Sequence, residues 1–295
     1  MSRKKVAFYA STAIIHGMNR ILSIQSHVAY GYVGNDAAKP VLQSHGFDVI
    51  DINTVQFSNH TGYGSWTGTI YPPEAITEII RGVKERNALK GCNALLSGYL
   101  GSAETGQSIL DALKTLKSEN PQAIYICDPV MGDIGRGFFV RDGIPEFFKT
   151  QIIPQADILT PNLFELAALT DQKPEELNSF ESIKHACRSL HDKGVHMVLV
   201  TSLITEDMGA SEIGLLLSQK NGTIDINTHP LVYIDPAPNG AGDATAACFA
   251  AHILKGEQAK VALKKTAHFL HTLFKNTKEA GSRELALMDS LRSDS

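Results

Sequence analysis

Short apolar runs bounded by Gly, Pro, Asn or Asp recur along the chain, with longer stretches of mixed polarity between them. Runs at 21–25, 47–52, 94–97, 123–127, 157–159 and 197–201 predict strands of the kind buried in a parallel sheet. The intervening segments 34–45, 74–88, 103–118, 162–170 and 179–193 predict helices. Pro72-Pro73 suits the start of the second of these, and Pro174 with Glu175-Glu176 precedes the last. Two further apolar runs, 213–218 and 223–227, flank Lys220-Asn221-Gly222, where Asn-Gly between alternating segments reads as a hairpin turn. A helix rich in small residues opens near Ala241 and continues through Leu254.

Strand and helix in alternation predict an α/β protein. The expected fold is a doubly wound, mostly parallel sheet flanked by helices, with the late hairpin as an antiparallel edge. No linker, low-complexity tract or internal repeat interrupts the pattern, so 21–295 reads as a single domain and 1–20 as an N-terminal extension. Arg3-Lys4-Lys5 and the stretch 6–15 mimic a short signal peptide. Tyr9, Ser11 and Thr12 interrupt that stretch, however, and it runs straight into the first strand. Met18 is itself a natural start, which would make the extension dispensable. No apolar run approaches the length that spans a bilayer.

Composition narrows the class. Hydrophobic residues make up 43% and charged residues 20%, ample for a core. Lys plus Arg number 27 against 31 for Asp plus Glu, a formal charge of -4, which argues against nucleic acid as the main partner. Cys92, Cys127, Cys187 and Cys248 are scattered, with no Cys-x-x-Cys pair or local Cys/His cluster. Neither a disulfide framework nor a structural zinc site is suggested, and a reducing, cytoplasmic setting follows.

Candidate chemistry concentrates at Pro238-Asn239-Gly240-Ala241-Gly242-Asp243-Ala244-Thr245, which joins the hairpin to a helix. Glycines at 240 and 242 let the backbone turn tightly and expose successive N–H groups at a helix N-terminus, where donors and dipole both favour an anion. A carboxylate in that first turn can take the proton of an attacking hydroxyl, while the donors stabilise a transferring phosphoryl. The octapeptide alone is equally compatible with Asp243 merely capping the helix. A second glycine pattern, 101–108, has the spacing of a P-loop but carries Gln107 where that loop needs lysine. It reads as an ordinary helix start.

Further blocks carry a resemblance. They are Ser23-Ile24-Gln25-Ser26-His27-Val28, Gly31-Tyr32-Val33-Gly34-Asn35, 53–63 with Gln56-Phe57-Ser58-Asn59-His60-Thr61, Ser97-Gly98-Tyr99, Cys127-Asp128-Pro129-Val130-Met131-Gly132, and Thr160-Pro161-Asn162-Leu163-Phe164-Glu165. In this order, with Gly240-Ala241-Gly242-Asp243, the chain from about 21 to about 256 resembles the pyridoxal kinases of the ribokinase superfamily. The resemblance implies a ribokinase-like fold and ATP-dependent phosphorylation of the 5′-hydroxymethyl of pyridoxal in vitamin B6 salvage, with pyridoxine and pyridoxamine as further substrates. It also implies Mg²⁺, a monovalent cation as a candidate cofactor, and a homodimer.

The same resemblance assigns residues. Ser26 would hydrogen-bond the substrate ring, Val33 and Phe57 would pack on it, and His60, Thr61 and Tyr99 would complete the pocket. Asp243 would be the base, with the N–H groups of Gly240, Ala241 and Gly242 cradling the phosphoryl. Asp128, Thr160, Glu165, Thr201 and Asn239 would line the nucleotide side, Asp128 and Glu165 sharing a hydrated Mg²⁺. The chain departs from the family in carrying Ala241 where Thr or Val is common, a change that keeps the backbone donor. Segment 133–141, with Arg136, is a candidate lid. A hydroxymethylpyrimidine kinase of the same fold, and a B6-binding protein without turnover, are the alternative readings.

Overall fold

The computed structural model describes residues 19–293, so the extension expected at 1–20 lies outside the described residues except for Asn19 and Arg20. In chain order the elements are β1 (Arg20–Tyr30), α1 (Asn35–Ser44), β2 (Asp48–Asn59), β3 (Gly68–Ile70), α2 (Pro73–Glu85), β4 (Cys92–Ser97), α3 (Ala103–Glu119) and β5 (Ile124–Cys127). There follow β6 (Gly132–Asp133), β7 (Gly137–Phe138), α4 (Ile144–Phe147), β8 (Ile158–Leu159), α5 (Leu163–Leu169), α6 (Phe180–Asp192) and β9 (Met197–Leu203). The chain closes with β10 (Glu212–Gln219), β11 (Ile224–Pro230), α7 (Ala241–Leu254), α8 (Ala259–Glu279) and α9 (Leu287–Ser293).

Nine strands form one sheet in the order β11-β10-β9-β8-β5-β4-β1-β2-β3. The central pairs are parallel, while β2–β3 at one edge and β9–β10–β11 at the other are antiparallel. The late hairpin therefore sits at the edge, as expected. Side chains alternate faces along each strand. In β4, Leu95 enters a core with α2, α3, α5 and α6, while Ala94 and Leu96 enter a second core with α1, α7, α8 and α9. Both faces are covered, which is the doubly wound arrangement.

Helix starts are set by short-range chemistry. Pro73 opens α2, and the Ser102 hydroxyl accepts the Thr105 N–H at 3.2 Å to start α3, so the glycine pattern at 101–108 is an ordinary helix N-terminus. Asn162 and Glu165 form a reciprocal capping box at α5.

Two strands run well past their expected ends. β1 continues from Gln25 to Tyr30 and β2 from Ile52 to Asn59, paired through His27↔Gln56, Val28↔Phe57 and Tyr30↔Asn59 after a register shift. These extensions are mixed in polarity and half-exposed, so they lack the apolar signature of the buried halves. The sequence pattern also left α8 unassigned. Its buried positions, Ala259, Ala262, Leu263, Thr266, Ala267, Leu270 and Leu273, do follow a helical stripe beneath a Lys- and His-rich exterior.

α7 is buried almost all round, from Ala244 to His252. Its small residues let it lie close against both α1 and α8, and Phe249 is fully buried in the core between helices and sheet. Replacing Phe249 with Ala is expected to cost about 3–5 kcal/mol of unfolding free energy, read as a lowered denaturant midpoint.

Candidate active site

The chain order turns outward in both directions from β1 and β4, which are adjacent in the sheet, so the topological switch point lies between their carboxyl ends. Ser26 lies just beyond this point on β1 and Tyr99 just after β4. Asp128 follows β5 and Thr160 follows β8, their N–H groups bonded to the carbonyls of Ser97 (2.9 Å) and Cys127 (3.1 Å). Thr201 lies in β9 and bridges to Asn162. Each expected site residue on the sheet thus sits at a strand's carboxyl end, and α7 brings Gly240, Ala241, Gly242 and Asp243 to the same edge.

Gly240 holds the helix start in place. Its φ is 89°, in the left-handed region, and a Cβ there would run into the carbonyl oxygen of Tyr32. Backbone therefore touches backbone at the point where α7 meets the loop after β1. On that loop Gly34 (φ 54°) lies against Ser26, and its N–H, with that of Asp243 itself, hydrogen-bonds the Asp243 carboxylate. Burial outweighs these donors and raises Asp243 to about 6.

Beside it lie two more buried acids. Asp128 Oδ1 accepts the Thr160 hydroxyl at 3.0 Å; burial, then the charges of Glu165 and Asp243, push its carboxyl well above the ordinary range. Glu165 is raised to about 8, chiefly by burial. Its Oε1 accepts the Met131 N–H and its Oε2 the Asn162 N–H, each at 2.9 Å. Glu165 is thus a brace joining the Asp-Pro-Val loop to α5, whereas Asp128 keeps Oδ2 directed towards Gly242. This all-oxygen set fits a hard divalent cation: Asp128 would hold it and Glu165 would reach it through water.

On the other side of the switch point, Val33 is buried yet belongs to neither hydrophobic core, and Phe57 meets the Trp66 ring at 6.1 Å. His60 accepts the Gly62 N–H on Nδ1 at 3.0 Å, which places its own proton on Nε2. Burial and then the Arg136 charge lower its pKa to about 4, so at neutral pH it is a neutral donor. Thr61 is exposed in the turn that follows, and Tyr99 is half-buried with its hydroxyl pKa raised by burial. Asn239 is half-buried just before Gly240.

The candidate lid at 133–141 is built on a two-stranded ribbon, β6 with β7. Its exposed Arg136 approaches the 60–62 turn and the Phe139 ring (5.6 Å), which puts it on the His60 side of the switch point.

The sequence reading missed the supports of this site. Asn35 bonds Ser23 Oγ (2.7 Å), the Ile52 carbonyl (3.1 Å) and Asn53 Oδ1 (2.8 Å), while Gln25 bonds Ser23 (3.0 Å), a buried polar brace beneath the pocket. Asp36 holds the Val28 N–H at 2.7 Å and His27 Nδ1 at 2.8 Å. Farther along, Glu284 accepts from the Tyr63 hydroxyl and the Tyr32 N–H, and the Arg283 guanidinium stacks 3.7 Å from the Tyr63 ring centre. Asn35 lies within a quoted block and was a legible polar interruption of an amphipathic helix. Arg283 and Glu284 lie beyond 256, where nothing local marks them.

A carboxylate at the N-terminus of a buried helix, glycine-exposed backbone donors, and an acid pair across a ribokinase-like sheet together define a small-molecule phosphotransferase. A family model described as phosphomethylpyrimidine kinase matches residues 41–287. The pyridoxal kinase PdxY of Deinococcus radiodurans is 46% identical over 269 residues, 91% of this chain and 90% of that protein. That of Granulibacter bethesdensis is 45% identical over 90% of this chain and 92% of that protein. Among solved structures, pyridoxal kinase from Leishmania donovani in complex with ADP and pyridoxamine superposes with a TM-score of 0.85 at 30% identity, covering 94% of this chain and 95% of that one. Pyridoxal kinase from Entamoeba histolytica gives 0.84 at 28% identity, covering 94% and 95%. The chain belongs to the pyridoxal kinase family.

The raised Asp243 has a consequence for stability. Relative to an unfolded carboxyl, the group favours folding below about pH 4 and loses that contribution as pH rises through about 6. Asp243→Asn is therefore expected to be more stable than wild type at pH 8, by about 1–3 kcal/mol. The difference should vanish near pH 4, as measured by denaturant unfolding at the two pH values.

Proposed function

We infer that this chain transfers the γ-phosphoryl of ATP to the 5′-hydroxymethyl oxygen of pyridoxal, giving pyridoxal 5′-phosphate and ADP. The observation that carries this is Asp243 held in the first turn of α7 by the Gly34 N–H, beside the Gly240–Gly242 backbone. Asp243 accepts the hydroxyl proton as the new O–P bond forms and the bond to the departing ADP oxygen breaks. The backbone N–H groups of Gly240, Ala241 and Gly242 carry the charge spread over the transferring oxygens. Mg²⁺, when bound, would offset negative charge on the phosphates, held by Asp128 with Glu165 behind water.

Asp128, Thr160, Thr201 and Asn239 line the nucleotide side in this reading. The flat ring of the substrate lies between Val33 and Phe57, with Ser26 bonding its rim. Neutral His60 offers its Nε2 proton, and Thr61 and Tyr99 close the pocket. Residues 21–295 act as one kinase domain. The four cysteines, all buried and none in a disulfide, fit a reducing, cytoplasmic setting, and no helix among the described residues is long and apolar enough to cross a membrane. A homodimer is part of the same reading, supported by an edge strand β3 that leaves Ile70 exposed, with Trp66 exposed just before the strand.

Purified protein with Mg-ATP is expected to form pyridoxal 5′-phosphate rapidly, and more slowly to phosphorylate hydroxymethylpyrimidine. Turnover of the pyrimidine alone would overturn the substrate while keeping the chemistry. Asp243→Ala should abolish transfer and leave pyridoxal binding by calorimetry nearly unchanged; near-normal turnover would remove Asp243 as the base.

The pH profile offers an independent check. The base works ionised, so kcat/KM should fall tenfold per unit below an apparent pKa near 6. A limb near pH 4 would mean that Asp243 is not the titrating group.

Sedimentation should give a dimer that Ile70→Lys weakens. A monomeric wild type would remove the dimer from this reading.

A further inference from the structure

Away from the kinase cleft, on the α1/α7 face of the sheet, three metal-binding side chains meet. His45 caps the carboxyl end of α1, and Cys248 and His252 lie four residues apart on one face of α7. One ligand atom from each falls within 4.8 Å of the others. The two imidazoles meet edge to face, with centroids 4.8 Å apart at 90°.

The hydrogen bonds around the rings fix their tautomers. His45 Nδ1 lies 2.9 Å from the Val41 carbonyl, which can only accept, so Nδ1 carries the proton. His252 Nδ1 lies 3.2 Å from Glu257 Oε1, which Lys265 also holds at 2.9 Å. The lone pair of His252 is thus on Nε2, which is buried, the residue being 6% exposed, and has no hydrogen-bond partner. An imidazole whose Nδ1–H is held by a carbonyl or carboxylate is the outer-sphere arrangement of metal-ligating histidines.

We propose that His45, Cys248 and His252 form a site for a borderline-soft divalent cation, Zn²⁺ or a close analogue. Cys248 loses its proton to solvent on binding, and the fourth position opens to a cleft of about 970 Å³ lined by Lys255, Glu257 and Lys265. Ligand atoms across a tetrahedral zinc stand about 3.3–3.8 Å apart, so side-chain rotations of about 1 Å close the set. The lysine-lined cleft disfavours hard cations held by charge alone and leaves the nitrogen and sulfur bonds to do the binding. Local Cys/His spacing does not reveal the site, because His45 comes from the other end of the chain.

The test uses the full chain, stripped with a chelator and kept free of nucleotide. Zn²⁺ is titrated against a chromogenic competitor, and Co²⁺ serves as the spectroscopic probe. Wild type should bind a single high-affinity Zn²⁺ per chain, and its Co²⁺ form should show a thiolate charge-transfer band. Cys248→Ser should lose the band, and His252→Asn should weaken zinc binding at least tenfold. His45→Gln, at a half-buried helix end, should do likewise with circular dichroism unchanged. His271→Ala, in a separate histidine pair with His229, should change nothing. The other cysteines are buried with thiol pKa values raised to about 11 and 12, so they do not mimic the band. Zinc binding equal in wild type and His45→Gln, a band that survives Cys248→Ser, or binding lost in His271→Ala would each overturn the proposal.

Discussion

The active site hangs on one backbone contact, the approach of Gly240 to the Tyr32 carbonyl. It exists because residue 240 has no Cβ and accepts a left-handed φ. Through it, α7 from one end of the chain is registered against the loop that follows β1 at the other. The Asp243 carboxylate then falls within reach of the Gly34 N–H. Were the helix start displaced by even the width of a methyl group, the Asp243 carboxylate and the N–H groups of 240–242 would leave the switch point together. The small residues of α7 serve the same end, since Ala244, Ala246, Ala247, Ala250 and Ala251 let it pack against both neighbours.

That registration has an energetic cost the core must offset. Asp128, Glu165 and Asp243 are all raised, and in each case burial is the first cause. A site of this kind resists ionisation at rest and welcomes positive charge from a cation or a proton from a substrate hydroxyl. Glu165 stays raised although the Asn162, Met131 and Gly132 backbone N–H groups all bond it, and those bonds make it a structural brace. Asp128 accepts one side-chain hydroxyl and Asp243 two backbone N–H groups, fewer than the three backbone donors at Glu165. Three acids brought together from the loop after β5, from α5 and from α7 thus differ in how many hydrogen bonds each already holds.

Legibility in the sequence followed the same physics. Buried strand halves such as 94–97 and 197–201 announced themselves because both faces are covered and the residues are apolar. The extensions of β1 and β2 did not, since they are half-wet and paired only through backbone bonds. Yet Ser26 and Phe57 lie on those extensions, and they were found through motif blocks, where periodicity was silent. Asp243 was visible as a carboxylate after glycines, but its contact with Gly34 spans most of the chain. α8 shows the opposite failure: its helical stripe was present at Ala262, Leu263, Thr266 and Leu270, with Gly256 before it and Gly281 after it, yet it went unassigned.

The far C-terminal contacts complete the logic of the pocket. His60 can act as a neutral donor only while its Nδ1 is occupied by the Gly62 N–H, and that depends on the 61–63 turn keeping its shape. The turn is gripped from outside: Arg283 bonds the Gly62 carbonyl at 3.3 Å and stacks on Tyr63, whose hydroxyl is taken by Glu284. Glu284 also reaches the Tyr32 N–H, one residue from Val33 and on the residue whose carbonyl Gly240 abuts. One carboxylate therefore ties the substrate turn to the loop that locates the base. In the proposed reaction the orientation of the ring and the position of the reacting hydroxyl would be set by the same few bonds, so the two would not drift independently.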